Sequence, residues 1–147
     1  MKSLFISTLI LALGSSALGF DIHRARSDFR IEYIGNAYFE RLLKESTVMV
    51  DTSRLLEEEI LRKKFPDSLF GAHYEKVDDS TELGNFLTGF LHDKIPSGGD
   101  LFKPASTRIK VIKKTEIYLF IAAKALVSNL VLEPGDLVLI QNMGDLL

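Results

Sequence analysis

The residue types that most often perform catalysis are present in this sequence, but their spacing does not group them. The histidines His23, His73 and His92 are far apart, and none has a second ligand at the spacing of a zinc site. The carboxylates Glu57–Glu59 point about 100° apart on a helix and do not converge for acid–base chemistry. The stretch Ser97–Asp100 lacks the glycine spacing and the Lys-Ser/Thr pair of a phosphate-binding loop. The sequence therefore predicts no enzyme, metal or cofactor; a small hydrolase would need His73 or His92 beside a serine and an acid.

A basic ridge is formed by Arg108, Lys110, Lys113 and Lys114, which follow one another closely in a predicted hairpin. Such a ridge could bind an acidic segment of a partner protein or a phospholipid head group, or be an ordinary solvated strand face. The whole chain has a formal net charge of -2, which argues against a dedicated nucleic-acid binder with a basic face.

Residues 1–19 have the layout of a secretory signal peptide. Lys2 supplies the positive start, Leu4–Leu13 is an apolar run, and the small residues Gly14–Ala17 follow it. An uncleaved anchor is the alternative, although a membrane span needs roughly 20 apolar residues. No later stretch is long enough to cross a bilayer. Because the chain also has no cysteine and no Asn-x-Ser/Thr sequon, a periplasmic or secreted protein is predicted, with a bacterial periplasm preferred.

The elements that would position a site begin with an α/β region over residues 20–106. Apolar residues at helical spacing predict helices over 28–45 and 54–64, separated by a short strand over 46–51. In the segment 79–94, apolar residues recur at i, i+3, i+4, i+7 and i+8 from Leu83, which predicts a third helix. Residues 95–106 have the Pro, Gly and Ser content of a loop.

From Thr107 onward the apolar period changes to that of strands. TRIKVIK alternates over 107–113, and EIYLFIAA over 116–123 is an apolar run typical of a strand buried on both faces. LVSNLVL over 126–132 continues the β region, with Ser128-Asn129 as its turn. Glu133–Asp136 predicts a turn into a last strand, LVLIQ. The fold class is therefore α+β: a helix-containing N-terminal region followed by a C-terminal antiparallel β region over 107–147.

The end of the chain resembles a known module. Ala123–Lys124, Leu126, Asn129, Val131–Leu132 and Asp136–Val138 follow in order the pattern that opens the SAF domain, a small β-clip. Asn129 stands where the family has its turn glycine, and it is one of the few residues that tolerate a left-handed conformation. The resemblance covers residues 121–147. Together with the signal peptide and the α/β region, the sequence is most similar to flagellar P-ring formation chaperones.

The resemblance implies a periplasmic protein without catalytic activity that assists ring subunits during assembly. An unfinished β-clip would leave an unpaired edge strand, to which an extended segment of a ring subunit could be added. Ile117, Leu119 and Ile121 would form the strand core beneath that edge. The residues predicted to bind the partner are Ile117, Leu119, Ile121, Leu126, Asn129 and Asp136. The alternative is a secreted structural or ligand-binding domain with no flagellar role, whose β region would close on itself.

Overall fold

A computed structural model describes residues 28–95 and 101–142. The predicted signal peptide, residues 96–100 of the predicted loop and residues 143–147 lie outside this range. The helices are α1 (Phe29–Ile34), α2 (Asn36–Lys44), α3 (Glu59–Arg62), α4 (Leu83–Lys94) and α5 (Ala122–Ala125). The strands are β1 (Thr47–Asp51), β2 (Ala72–Lys76), β3 (Thr107–Ile112), β4 (Ile117–Ile121) and β5 (Leu137–Asn142).

All five strands form one sheet in the order β2-β1-β5-β3-β4. Only β1 and β5 run parallel; the other neighbouring pairs are antiparallel. The predicted α+β class is confirmed, with helices early in the chain and three strands after residue 106. The sheet joins β1 and β2 from the N-terminal region to the three later strands. Within the described residues, no helix is both long and apolar enough to cross a membrane.

The two faces of the sheet are covered by different helices. On what we call the inner face, strand residues such as Val50, Val111 and Val138 pack with Leu87 and Phe90 of α4 in the main core. On the outer face, a smaller core is formed by Leu42 of α2 with strand residues, which are Met49, Ile112, Leu137 and Leu139. The helices α1 and α2 therefore cover the middle of the outer face, but not β4.

The N-terminal helices are shorter than their apolar periodicity predicts. The single helix expected over 28–45 is broken at Gly35, whose φ of +88° suits glycine and ends α1, its N–H donating to the Ile31 carbonyl at 2.7 Å. The helix expected over 54–64 was wrong except at Glu59–Arg62. Its first turn is lost because Leu55 is fully buried directly after β1, which bends the chain into the core. The helix predicted within 79–94 is confirmed as α4.

The strand predicted over 116–123 is confirmed at Ile117–Ile121, but its burial on both faces was wrong. The run over 116–123 ends as a strand at Ile121 and continues as α5, and β4 is exposed on alternate residues rather than buried on both faces. Residues 126–132 form no strand beyond one isolated bridge of Val131 to Glu82. Instead, the segment lies along the start of α4: Leu83 N–H donates to the Leu130 carbonyl at 2.8 Å, and Gly84 N–H to the Ser128 carbonyl at 2.9 Å.

The last strand, β5, is confirmed, but it does not provide an open edge. It lies in the centre of the sheet, paired with β1 on one side and β3 on the other. The expectation that the end of the chain leaves unpaired strand groups is therefore wrong for β5. Its continuous run Leu137–Ile140 is buried, as expected for a central strand covered on both faces.

Candidate functional site

The open edge that could receive a partner belongs to β4. This strand pairs with β3 on one side, and no other strand of the described chain lies along its second side. At the opposite border of the sheet, β2 pairs only with β1. The sheet therefore has two edges, and their chemistry differs.

The direction of the free backbone groups on β4 follows from its register with β3. Lys113 N–H donates to the Glu116 carbonyl at 2.8 Å, which makes this pair a hydrogen-bonded one. In an antiparallel ladder such pairs alternate with pairs whose backbone groups point away from each other. Ile117 and Leu119 therefore direct their N–H and C=O groups outward, as Ile121 does its N–H, whereas Tyr118 and Phe120 bond to β3.

The same three residues also expose apolar side chains on the outer face. Ile117 is 49% exposed, Leu119 71% and Ile121 41%. The expectation that they form a core beneath the edge was wrong, because α1 and α2 do not extend over β4. The structure instead gives a strand that offers both unpaired backbone groups and an uncovered apolar stripe. We call the residues Ile117–Ile121, with this outward side, the β4 edge.

The β2 edge has the features that natural proteins use to prevent strand addition. Its sequence, AHYEK, includes Glu75 and Lys76, and Glu75 forms an ion pair with Lys94 at 3.8 Å. Charged side chains on an edge strand oppose pairing with another chain. The β4 edge, IYLFI, has no charged residue. Of the two borders of the sheet, β4 is therefore the one suited to a partner strand.

A buried ion cluster fixes the hairpin that carries this edge. The carboxylate of Asp136, with no exposed side-chain surface, accepts hydrogen bonds from Lys113 Nζ at 2.5 Å, Arg30 Nη1 at 3.2 Å and Glu133 N–H at 2.8 Å. Arg30 also forms a two-pronged pair with Asp28 at 2.9 and 3.0 Å. We call Asp28, Arg30, Lys113 and Asp136 the Asp136 cluster.

The cluster depends on the turn Glu133–Asp136 that precedes β5. Pro134 and Gly135 occupy its two central positions, and the φ of +92° at Gly135 is the value that favours glycine there. A Cβ on Gly135 would lie 2.7 Å from Phe39 Cε1, so α2 packs directly on the turn. The turn hydrogen bond, from Asp136 N–H to the Glu133 carbonyl, is 3.0 Å long. This geometry directs the Asp136 carboxylate inward, towards Arg30 and Lys113.

Burial and pairing act in opposite directions on the acids of the cluster. Burial raises the pKa of Asp136. The hydrogen bonds from Lys113 and from Glu133 N–H, together with the charges of Lys113 and Arg30, lower it, but burial is the larger effect and the pKa is raised. At Asp28, burial also acts to raise the pKa, but the hydrogen bonds and charge of Arg30 are stronger together and the pKa is lowered. Burial would likewise lower the pKa of Arg30, and its two acids raise it. The pKa of Arg30 is raised as the net result.

The Asp136 cluster connects three parts of the fold. Arg30 lies in α1, Lys113 at the end of β3 and Asp136 at the start of β5. Beside them, Phe29 N–H donates to the carbonyl of Lys114 in the β3–β4 turn at 2.8 Å. The cluster thus holds the β3–β4 hairpin against α1, so that the β4 edge is presented in a fixed position.

Asp28→Asn should remove a pH-dependent part of the stability. Asn still caps α1 by accepting from Arg30 N–H, so the change reports the charge and should cost about 1 kcal/mol at pH 7. Because the pKa of Asp28 is lowered in the folded protein, the ionised carboxylate contributes its full stability above pH 3.8. This contribution is lost as the pH falls through the pKa of the folded protein. Urea unfolding should show the gap between native chain and variant closing below pH 3.8. A gap of constant size across this range would contradict the assignment.

The remaining residues predicted to bind a partner have different positions. Leu126 is half-buried against the main core, and Asn129 is exposed on the segment that lies along α4. The φ of Asn129 is not positive, so the expectation of a left-handed turn residue there was wrong. Asp136 is internal, and its carboxylate is occupied by the cluster. Only Ile117, Leu119 and Ile121 are brought together on one accessible surface. Of the ridge residues, Arg108 and Lys110 lie on the outer face of β3, while Lys113 belongs to the cluster.

The candidate catalytic groups are not assembled in the described residues. His73 lies 3.2 Å from Thr52 Oγ1 and packs edge-on against Phe90, and His92 pairs with the adjacent Asp93 on the surface. His23 and Ser97–Asp100 lie outside the described residues. In the described ranges, no group of three or more His, Asp or Glu side chains could hold a metal ion.

A cavity of about 380 Å³ lies between the segment after β1 and the end of β5. Its floor is apolar, with Leu55 and Phe65, and its rim carries both signs of charge, including Glu57, Lys64 and Lys103. Its lining contains no histidine.

No protein-family model matches the chain, and neither the curated proteins nor the solved structures provide a match. The function must therefore be inferred from the site itself. Sequence reasoning singled out the β4 residues from their apolar run, but it missed the pairing of Asp28 and Arg30 with this part of the fold. Arg30 is 106 positions from Asp136, and no local pattern links them. The one usable signal was the Pro-Gly turn that places an aspartate directly before a buried strand.

Proposed function

We propose that this chain is an exported, non-enzymatic binding protein that takes up an extended segment of a partner protein at the β4 edge. The partner would add a sixth strand beside β4. Its backbone would pair with the outward N–H and C=O groups of Ile117 and Leu119 and with the N–H of Ile121, whose carbonyl belongs to the first turn of α5. In this mode of recognition the main-chain hydrogen bonds give affinity and the alternate side chains give specificity.

The observation that carries the proposal is an uncharged edge strand whose outward residues are also exposed and apolar. Exposed strands of this kind pair readily with other chains, and natural proteins usually protect them with charges, as β2 does here. The Asp136 cluster supports the proposal in a second way. It fixes the hairpin before binding, and a preorganised edge costs less conformational entropy when the partner binds.

The partner that we propose is a subunit of the flagellar P ring, bound in the periplasm during its assembly. Support comes from the signal-peptide layout of residues 1–19 and from the resemblance of residues 121–147 to the SAF domain of P-ring formation chaperones. A chaperone of this kind needs no catalytic group, only a surface that covers a subunit segment until that segment pairs within the ring. The alternative, a secreted domain with no flagellar role, was expected to have a closed β region, whereas the described sheet is open at β4.

The test is a capture experiment with tagged protein in periplasmic extract of a flagellated bacterium. The native chain should retain the ring subunit, identified by mass spectrometry, and Leu119→Pro should not. Tyr74→Pro is the matched control, because it introduces a proline on the charged β2 edge. This variant should still retain the ring subunit. Absence of the ring subunit from the native eluate, or its equal recovery with Leu119→Pro, would overturn the proposal.

A further inference from the structure

We propose that the β4 edge selects an acidic segment, an inference that rests on the proposed function and names the chemistry of its partner. The β3–β4 hairpin and the turns beside it concentrate the positive charge of the chain. Between Leu101 and Ala125 there are six of the 18 basic residues but only one of the 20 acidic residues, Glu116. The rest of the chain therefore has an excess of acidic residues, and this segment is net positive within a chain that is net negative.

Five of these six cations have no ion-pair partner among the described carboxylates. Lys113 is held by Asp136 and Glu133. The others are either exposed or half-buried, and they are Lys103, Arg108, Lys110, Lys114 and Lys124. Cations on a protein surface are commonly near carboxylates, as Arg54 is to Glu57 at 2.7 Å in this chain. The five thus form a local positive field in which Glu116 is the one acid of the segment.

The register places these cations around the strand that would receive the partner. On the outer face, Lys110 is directly opposite Leu119, and Arg108 is opposite Ile121. An added strand would lie two strand spacings, or about 10 Å, from β3. A lysine or arginine on β3 and a glutamate on the added strand can together span that distance across β4.

Cations also flank both ends of β4. Lys114 lies in the turn before β4, and Lys124 lies in α5 directly after it. Lys103 is near the same end, because Ala123 N–H donates to the carbonyl of its neighbour Pro104 at 3.0 Å. A segment with Asp or Glu on the alternate positions that face the outer side would therefore meet opposite charge from Arg108 and Lys110 and at both ends of β4. Its other positions, on the inner side, would carry apolar residues beside Tyr118 and Phe120.

The test uses three synthetic peptides long enough to span β4, with the same alternating valines and with Glu, Gln or Lys at the remaining positions. Binding to the native chain would be measured by fluorescence anisotropy at about 50 mM and about 500 mM salt, because screening weakens exposed ion pairs. With two or three exposed pairs of about 0.5 kcal/mol each, the Glu peptide should bind roughly tenfold more tightly than the Gln peptide at low salt. The difference should shrink at high salt, and the Lys peptide should bind most weakly.

Two variants locate the effect. Arg108→Gln/Lys110→Gln should reduce the preference for Glu over Gln while leaving the affinity for the Gln peptide nearly unchanged. Lys44→Gln/Lys76→Gln removes the same charge from exposed positions away from β4, and it should keep the preference. Since the comparison of peptides uses the native chain, a variant that folds poorly does not affect the main result.

The outcomes separate this inference from the function on which it rests. Equal affinity for the Glu and Gln peptides, with both lost in Leu119→Pro, would overturn the acidic preference but leave strand addition standing. Failure of all three peptides to bind would overturn strand addition itself. Binding to phosphatidylglycerol vesicles that the Glu peptide does not compete for would assign the positive field to a lipid surface and overturn the inference.

Discussion

Asp136→Ala is expected to destabilise the protein by about 3–5 kcal/mol at neutral pH. The substitution leaves Arg30 and Lys113 without their shared acid, although only 11% and 13% of their side-chain surfaces are exposed. Removing one partner of a buried pair costs this much because the remaining charges are desolvated. Here they keep only Asp28, beside Arg30, and the exposed Glu133, beside Lys113, as counter-ions. The hydrogen bond that orders the turn at Glu133 N–H is lost as well. Urea unfolding followed by circular dichroism measures the difference.

Glu133→Ala is the matched control, because Glu133 contacts the same Lys113 Nζ, at 3.3 Å, but its side chain is 69% exposed. Exposed ion pairs contribute about 0–1 kcal/mol, so this variant should be nearly as stable as the native chain. A loss for Asp136→Ala no larger than that for Glu133→Ala would show that the cluster does not hold the hairpin.

Leu119→Pro is expected to abolish most of the binding at the β4 edge while the protein stays folded. Proline has no N–H, and it is tolerated on edge strands where that group faces solvent. The N–H of Leu119 points outward, so the ladder with β3 is kept and only the donor offered to a partner is lost. An unmet hydrogen bond of this kind costs about 1–3 kcal/mol, or roughly 5- to 150-fold in affinity.

Two controls accompany this variant. Tyr74→Pro makes the equivalent change on β2, where Tyr74 is 50% exposed and faces outward by the same register rule, and it should bind normally. Phe120→Pro removes an N–H that bonds to β3 and should lower the stability. Unfolding curves show whether each variant folds. Native-like binding by a folded Leu119→Pro variant would exclude the β4 edge as the site.

Elements whose stability comes from a simple local pattern could be predicted from the sequence. The apolar spacing from Leu83 gave α4, and the alternation from Thr107 gave β3. The segments at 54–58 and 126–132 could not be predicted, because distant contacts override their local preference. Leu55 enters the core instead of continuing a helix, and the carbonyls of Ser128 and Leu130 accept from the start of α4 instead of from a strand.

The strand β4 was predicted, but its environment was not. An apolar run such as IYLFI reads as a doubly buried strand, because the sequence does not show whether a helix covers its outer face. The structure places β5, which also has a continuous apolar run, in the centre of the sheet and β4 at its border. The order of the strands depends on pairing between distant segments. This order therefore determines that the apolar run of β5 is buried and that the apolar run of β4 lies at the border of the sheet.

The most direct test of the open edge is amide hydrogen exchange of the free protein, resolved by residue with NMR. The N–H groups of Ile117, Leu119 and Ile121 should exchange at least about tenfold faster than those of Tyr118 and Phe120, because only the latter bond to β3. On addition of a bound segment, the three fast amides should become protected and the other two should change little. Uniform protection of residues 117–121 in the free protein, through pairing within the chain or between two copies, would contradict the account.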